Sequence, residues 1–485
     1  MKRENRKLLL INPFFKEDEK GRFGYQISEP PLSLCFIGTY IKNNSDCEVE
    51  IIDPIPQRLS KSQVLRKVEE ADVVGLTSYT YTRFQCFDFA RKVKEVNPYC
   101  KLIIGGAHAN ALDEKILQYY PFVDAVCRGE GEETMLEIIK GKPLKDIMGI
   151  TWRKDGQIVR NPDRPFKENI DDFYCDFSLL PDFDKYKKDL QVPKEIRALR
   201  TAYLVISRGC PFNCTFCGSR RWKRIYRAMS AKKVVEQIKQ LVDEHGIEYI
   251  KFHDDMFFSI NKKEVLKFCE LLKEKKINIT FSIQRRVDTI SKEMLKALKD
   301  VGCVAVGMGI ESGSEKVLRA LNKRTSIDKI LRAVKILNEL DYWKIGFFMV
   351  GLPSEKEEDY QKSLRLAKYF EYVSCSSLSI YPGTPLYEEL KRRGEINDDF
   401  WFDPNAPRKL YYSKERFSKA EWSIKDIIRR EIYFGYYHTI HYPKSVIRRY
   451  GTVKGTLSIL EDVINIPFQG KLYEVRAYLK ERIKY

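Results

Sequence analysis

The 485-residue sequence predicts two consecutive α/β domains with parallel strands, followed by a small, mostly helical C-terminal part. Two observations carry that reading. Short apolar runs of strand length alternate with segments of helical spacing twice along the chain, and the alternation stops near Ile396. A proline-containing interval between Asn161 and Pro193 separates the two alternating stretches. With 43% hydrophobic residues and ordinary Gly and Pro usage (26 and 20), the chain has material for sizeable cores and is neither collagen-like nor low-complexity.

In the first stretch, Lys7–Ile11, Val49–Ile52, Val73–Thr77, Lys101–Ile104 and Ala125–Cys127 are expected as buried parallel strands. Leu34–Lys42, Gln63–Glu70 and Phe84–Val96 have helical spacing between them. Such a series predicts a doubly wound, flavodoxin-like or Rossmann-like domain over residues 1–145, with ligands beyond the carboxyl ends of the strands. Asp155-Gly156 marks a hairpin of Ile150–Arg153 and Gln157–Arg160, so 146–199 reads as hairpin and connector. From 200 to 395, strands are expected at Tyr203–Ser207, Tyr249–His253, Ile279–Ile283, Val304–Gly309, Ile345–Val350 and Ser376–Tyr381. Helices are expected at Ala231–Glu244, Lys263–Lys275, Lys292–Lys299, Asp328–Leu340 and Tyr360–Phe370, with Ser230 and Ser291 as caps. Six β/α units make a partial (β/α)6 TIM-like barrel, whose site lies at the carboxyl ends of its strands. Residues 396–485 are aromatic and basic, with helices expected at Leu457–Ile464 and Tyr473–Ile483.

Composition excludes several classes. No apolar run approaches the 18 or so residues of a membrane span, and Leu8–Ile11 after Met1-Lys2-Arg3 is too short for a signal peptide. The chain reads as cytoplasmic. A net charge of +18 comes from 86 basic residues interleaved with 68 acidic ones, so nucleic acid is not expected as a partner. The aromatic, basic tail could rest on the inner face of a membrane or simply pack on the barrel. Nine of the twelve cysteines are scattered, and most of these sit among apolar neighbours and read as small buried hydrophobes.

The other three, Cys210, Cys214 and Cys217, lie on a Gly/Pro-containing loop directly after the first strand of the second domain. Three thiolates within eight residues can converge on one centre, and sulfur suits either iron–sulfur or zinc. Zinc would need a fourth ligand, for which His245 and His253 are nearest. In this position the Cys-x3-Cys-x-Phe-Cys pattern, with Phe216 and Gly218 around its last cysteine, resembles the radical S-adenosylmethionine superfamily. The resemblance implies a 4Fe-4S cluster on the three cysteines, with one iron open to S-adenosylmethionine.

Later strand ends extend the likeness. Asp254 and Asp255 follow the second strand, where the family grips the methionine ammonium; Gln284, Arg285 and Arg286 end the third, where relatives face ribose and carboxylate. Glu311 and Ser312 stand in the fourth-strand signature, and Gly351 ends the fifth. Each alone has a plain alternative: a helix cap or solvated loop for the carboxylates, a surface ion pair for Arg286, a permitted turn for the glycines. Their joint placement favours the site, and no residue is singled out as catalytic.

In the first domain, Gly105-Gly106-Ala107-His108 follows the fourth strand and Gly129-Glu130-Gly131 the fifth. Glycines there let backbone approach a ligand closely. With Thr77-Ser78-Tyr79 after the third strand, Ser33-Leu34 opening the first helix and Asn12 ending the first strand, this resembles the cobalamin-binding domains fused ahead of radical S-adenosylmethionine barrels. Many cobalamin proteins carry a cobalt-ligating histidine after the first strand. Here Asn12 to Gly21 has none, and His108 reads as a turn residue near the nucleotide tail. The resemblance therefore implies base-off cobalamin without a histidine ligand. The alternative front domain of a methylthiotransferase would need three cluster-binding cysteines, and the spacing of Cys35, Cys47, Cys86, Cys100 and Cys127 does not supply them.

The expectation is a cobalamin-dependent radical S-adenosylmethionine methyltransferase acting on an unactivated carbon. Substrate hydrogen would be abstracted by a 5′-deoxyadenosyl radical and the methyl group delivered from methylcobalamin. A small-molecule, lipid or tetrapyrrole-like substrate and a flavodoxin or ferredoxin donor would be its partners. The alternatives are an oxidative cyclase or other non-methylating radical enzyme, and a non-catalytic cobalamin or iron–sulfur carrier.

Overall fold

The computed structural model describes residues 6–15, 29–186, 188–219, 225–258, 261–435 and 437. Residues 16–21 of the first loop and both helices expected beyond 450 lie outside the described residues. Among the described residues no helix is long and apolar enough to cross a membrane.

The first sheet contains β1 (Lys7–Ile11), β2 (Glu48–Ile52), β3 (Val73–Thr77), β4 (Lys101–Gly105) and β5 (Ala125–Cys127). All pair in parallel in the order 2-1-3-4-5, the flavodoxin-like winding. Helices Leu32–Asn44, Lys61–Val68 and Arg83–Val96 lie within three residues of the expected bounds. The hairpin, β6 (Ile150–Lys154) and β7 (Gln157–Arg160), does more than link the domains: β6 pairs antiparallel with β5 and continues the sheet to seven strands.

The second sheet runs β8 (Thr201–Leu204), β11 (Tyr249–Phe252), β12 (Thr280–Arg285), β13 (Cys303–Glu311), β14 (Trp343–Val350) and β15 (Tyr372–Ser377), parallel throughout and in sequential order. It is a six-stranded partial barrel with helices between its strands, capped as expected by Ser230, which accepts from the Lys233 N–H, and Ser291, which accepts from the Met294 N–H. Two strands differ from expectation. β8 stops at Leu204, and Ser207–Arg208 forms a separate short strand, β9, antiparallel to β10 (Arg227–Ala228). β15 lies four residues earlier than the apolar run Leu378–Tyr381 suggests, because that run leaves the sheet and Ser379 bridges to Tyr411.

The lower lumen is closed by the connector. Val192 packs with Tyr249, Ala305, Trp343 and Ile345, while buried Asp189 accepts from Tyr249 Oη at 2.9 Å and from Lys251 Nζ at 3.1 Å. The C-terminal part continues through a 3-10 turn, Asp398–Phe402, and a helix over 424–435. Trp401 is fully buried beside the first domain, and Arg83, also fully buried, donates to the carbonyls of Trp401 and Pro407. This segment thus ties the barrel back onto the first sheet, so the carboxyl edges of the two sheets face each other.

Candidate functional site

A cavity of about 340 Å³ lies between those edges. Its walls come from the first domain's loops (Ser33, Thr77, Gly105, Gly129–Glu132) and from the start of the cysteine loop (Ser207–Gly209) with Asp254 and Asp255. A second cavity, about 510 Å³, shares Tyr79, Ala107, Asn110 and Gly129 with it and extends to Arg160, Gly218 and Tyr381–Gly383.

The cysteine loop is stitched in place by backbone. The Thr215 N–H donates to the Leu321 carbonyl, the Leu386 N–H to the Thr215 carbonyl, and Asn322 Nδ2 to the Asn213 carbonyl, at 2.8–3.0 Å. Cys214 is buried and Cys210 and Cys217 are half-buried. Cys210 Sγ stands 3.7 Å from Met256 Sδ, Arg286 Nη1 lies 3.7 Å from Cys214 Sγ, and the Ser219 N–H points to Cys217 Sγ at 3.4 Å. Burial, with the neighbouring negative groups, pushes the free Cys210 thiol up to about 11. Burial also raises Cys214, opposed by Lys323 and Arg286. Three soft donors with two buried cations beside the central one suit an anionic, thiolate-bound iron–sulfur centre.

Zinc fits less well. His245 ends the helix Ala231–His245 at the amino end of the barrel, edge-on to Phe183, away from the cysteines. No three His, Cys, Asp or Glu side chains among the described residues converge as a single ion requires. A four-iron cluster instead bonds each cysteine to a different iron and takes donors set wider apart.

The residues expected at S-adenosylmethionine divide into two groups. Asp255 is exposed and accepts from Ser219 Oγ, which places a carboxylate next to Cys217. Gly218 lines the larger cavity and Gln284 is half-buried at the end of β12. Asp254 also lines the interdomain cavity and has a structural task as well. Its Oδ1 accepts from the Ile206 and Ser207 N–H groups at 2.9 and 2.6 Å and from Ser207 Oγ, so it clamps the strand that leads into Cys210. Burial outweighs these donors and pushes its carboxyl up to about 7.

Arg286 also braces the loop: its guanidinium stacks on Phe212 at 3.7 Å, pairs with Asp288 and donates to the Lys323 carbonyl. Phe216 packs against the apolar core shared by the first domain and the C-terminal segment. Ser312 is fully buried, its Oγ accepting from the Ser314 N–H and lying 3.4 Å from Ser363 Oγ, and Gly351 donates its N–H to Glu355. Asp254, Arg286, Phe216, Ser312 and Gly351 thus brace the loops around the cysteines, and Asp254 also lines the interdomain cavity.

Glu311 has a left-handed backbone, φ +64°, and pairs with Lys323 Nζ at 2.6 Å, both side chains being at least nine-tenths buried. Gly309 makes room for that pair, since a Cβ there would lie 2.7 Å from Glu311 Oε1 and 2.8 Å from Lys323 Nζ. Lys323 carried no signal in the sequence: it lies twelve residues past Glu311, in the turn between two helices.

On the first domain, Ser33, Leu34, Thr77, Tyr79, Gly105, Gly106, Gly129, Glu130 and Gly131 line the interdomain cavity. Gly129 has φ +75° and a Cβ there would meet nothing within 4 Å, so this glycine leaves space on the cavity side. Small residues around two connected cavities are what a bulky, flat ligand requires, and in that respect the site fits cobalamin.

Three residues expected on this side, Asn12, Ser78 and His108, lie outside both cavities, and Glu130 inside one of them is already paired. Asn12 turns away to donate to Asp53 at 3.2 Å, and Ser78 is wholly buried beneath the Gly105-Gly106 turn. His108 is fully buried among Phe87, Trp401 and Phe402, with Nδ1 3.2 Å from Thr80 Oγ1. Burial, aided by Arg83, pushes it down to about 3, so it is a neutral core residue, and it lines neither cavity. Glu130 does line the cavity, yet its carboxylate is taken by Arg227 at 2.7 Å and Arg208 at 3.3 Å. Arg208 and Arg227 were missed; the position of Arg208 two residues before Cys210 was the one visible hint.

Comparison with known proteins agrees with both halves of this site. The B12 binding domain family matches residues 26–139, and the radical SAM superfamily matches residues 204–367. An uncharacterized methyltransferase of Pyrococcus horikoshii is 32% identical over 392 residues, 79% of this chain and 82% of that protein. An anaerobic magnesium-protoporphyrin IX monomethyl ester cyclase of Rubrivivax gelatinosus is 28% identical over 76% of this chain and 68% of its own. The fold is shared with the radical S-adenosylmethionine methyltransferase TsrM from Kitasatospora setae, solved with cobalamin and a 4Fe-4S cluster bound. That match has a TM-score of 0.64 at 18% identity and covers 80% of this chain and 78% of that one. The chain belongs to the radical S-adenosylmethionine superfamily, in the group that carries an N-terminal B12 binding domain.

Proposed function

We propose that this chain is a methyltransferase that methylates an unactivated carbon of a small-molecule, lipid or tetrapyrrole-like substrate. The observation that carries the reading is one cavity bounded by the carboxyl edges of both sheets, with glycine loops on one wall and the start of the cysteine loop on the other. When bound, the cluster, S-adenosylmethionine and cobalamin supply radical generation and methyl transfer. Cys210, Cys214 and Cys217 would hold the cluster, with Arg286 and Lys323 offsetting its negative charge. Asp255, which lines the cavity, would receive the methionine ammonium. Asp254 keeps the loop in register, and Lys323 holds Glu311 fixed at the end of β13. Domains are taken as 1–145, 146–199, 200–395 and 396–485. A flavodoxin or ferredoxin would serve as electron donor in the cytoplasm, with the tail able to contact a membrane face.

Cobalamin would bind base-off and without histidine. His108 is enclosed in the core, and His253, the one imidazole lining the interdomain cavity among the described residues, comes from the barrel side. Paramagnetic resonance of the Co(II) form tests this, because an axial nitrogen splits each cobalt line into three. Unsplit lines are expected. Triplets that disappear in His108→Ala or His253→Ala would show histidine ligation and overturn the assignment.

The cyclase relative favours a second reading, cyclisation without methyl transfer. Cleavage of S-adenosylmethionine to 5′-deoxyadenosine by the reduced protein excludes a mere carrier, and product mass then separates the two enzymatic readings.

A further inference from the structure

We infer that Arg208 is a positioning residue that fixes the cluster-bearing loop against the first domain's Gly129–Glu132 loop, and so sets the spacing between the two cofactors. The inference rests on the proposed function for what occupies the cavity. Its basis is a group of four buried charges that join the domains. Arg208 sits on β9, two residues before Cys210, and its guanidinium pairs with Glu132 and, at 3.3 Å, with Glu130. Arg227, its partner across the β9–β10 ladder, holds both oxygens of Glu130, at 2.7 and 3.0 Å, and donates to the Lys167 carbonyl. Every side chain in the group is at most 13% exposed. Phe36 of the first domain and Phe173 of the connector bring their rings to 5.1 and 4.8 Å from the Arg208 guanidinium.

The chemistry explains why arginine stands here. A planar fork can serve two carboxylates at once and present its faces to aromatic rings; an ammonium cannot do both. Opposite charges at this burial also resist screening, so the link is stiff in a way that a surface ion pair is not. Arg208, Glu130 and Glu132 all line the interdomain cavity. The acidic residues of the glycine-rich loop therefore face the barrel's arginines, and moving Arg208 would move one wall relative to the other.

The test compares the cobalamin- and cluster-loaded wild type with Arg208→Gln, Arg208→Lys and Glu132→Gln. Pulsed paramagnetic resonance reads the distance between Co(II) and the reduced cluster, and equilibrium dialysis reads cobalamin affinity. Arg208→Gln should keep its iron content, broaden the distance distribution and weaken cobalamin binding about tenfold. Glu132→Gln should shift both readouts in the same direction by less, and Arg208→Lys should restore them in part. Unchanged distance and affinity in Arg208→Gln would overturn the inference, and so would loss of iron in both Arg208→Gln and Glu132→Gln, since that marks a general folding role.

Hydrogen exchange of the unloaded protein separates the inference from the reading beneath it. Backbone amides of 129–132 and of β9–β10 should both exchange faster in Arg208→Gln. If the wild type fails to retain cobalamin, the proposed function falls, while the exchange result still decides whether Arg208 docks the two loops.

Discussion

Replacing Cys210, Cys214 and Cys217 together with Ala is expected to abolish iron–sulfur absorbance in anaerobically reconstituted protein, and 5′-deoxyadenosine formation with it. The wild type should hold about four irons and four sulfides. The variant should fold, because the loop's anchors are backbone bonds to Leu321 and Leu386 and the side chain of Asn322, none of which uses a thiol. Absorbance retained by the triple variant, or stoichiometric zinc in the anaerobically purified wild type, would remove the cluster from the account.

The second large effect is expected at Asp254. Replacement by Ala leaves the Ile206 and Ser207 N–H groups and the Ser207 hydroxyl without their acceptor. At the usual net value of each bond, the fold should lose about 2–4 kcal/mol, and iron uptake should fall because these donors lead directly into Cys210. Asp254→Asn keeps an acceptor oxygen and removes the titration.

The pH dependence follows in sign. The folded carboxyl is pushed by burial from 3.8 up to about 7, so the native state binds the proton more tightly than the unfolded chain. The stabilisation from that proton is complete below about pH 4 and is lost as pH rises through about 7. Urea melts of cluster-free protein should show the stability of wild type relative to Asp254→Asn declining across this interval. A difference that stays level with pH would mean that the carboxyl is not held up by burial.

How far the sequence reaches depends on whether a feature is local. β1, β3 and β5 have the bounds that their apolar runs predict, because strands covered on both faces read as continuous hydrophobic stretches. β15 was displaced for the opposite reason: Tyr372–Ser377 contains three serines at the sheet edge, whereas the more apolar residues after it pair elsewhere. The cysteine loop was legible because its three donors lie close together in the chain. The residues around it were legible by position and not by role. Asp254 and Arg286 occupy the expected strand ends, yet Asp254 also holds the start of the cysteine loop, and Arg286 reaches Asp288, the Lys323 carbonyl and Cys214 Sγ. Arg208 and Arg227 find their carboxylates 76 and 97 residues away, a separation that no spacing rule encodes. His108 shows the same limit from the other side: a histidine beside a glycine turn looked accessible, and the C-terminal Trp401 and Phe402 bury it.

Methyl transfer is the central claim, and labelled methyl groups test it most directly. Metabolites and lipids extracted from a strain lacking this protein would be incubated with the reconstituted enzyme, a reductant and S-adenosylmethionine bearing a trideuterated methyl group, and analysed by mass spectrometry. The account predicts a product that gains one labelled methyl, in step with 5′-deoxyadenosine. A product formed with 5′-deoxyadenosine but without the label, its mass changed by ring formation or oxygen insertion, would contradict it.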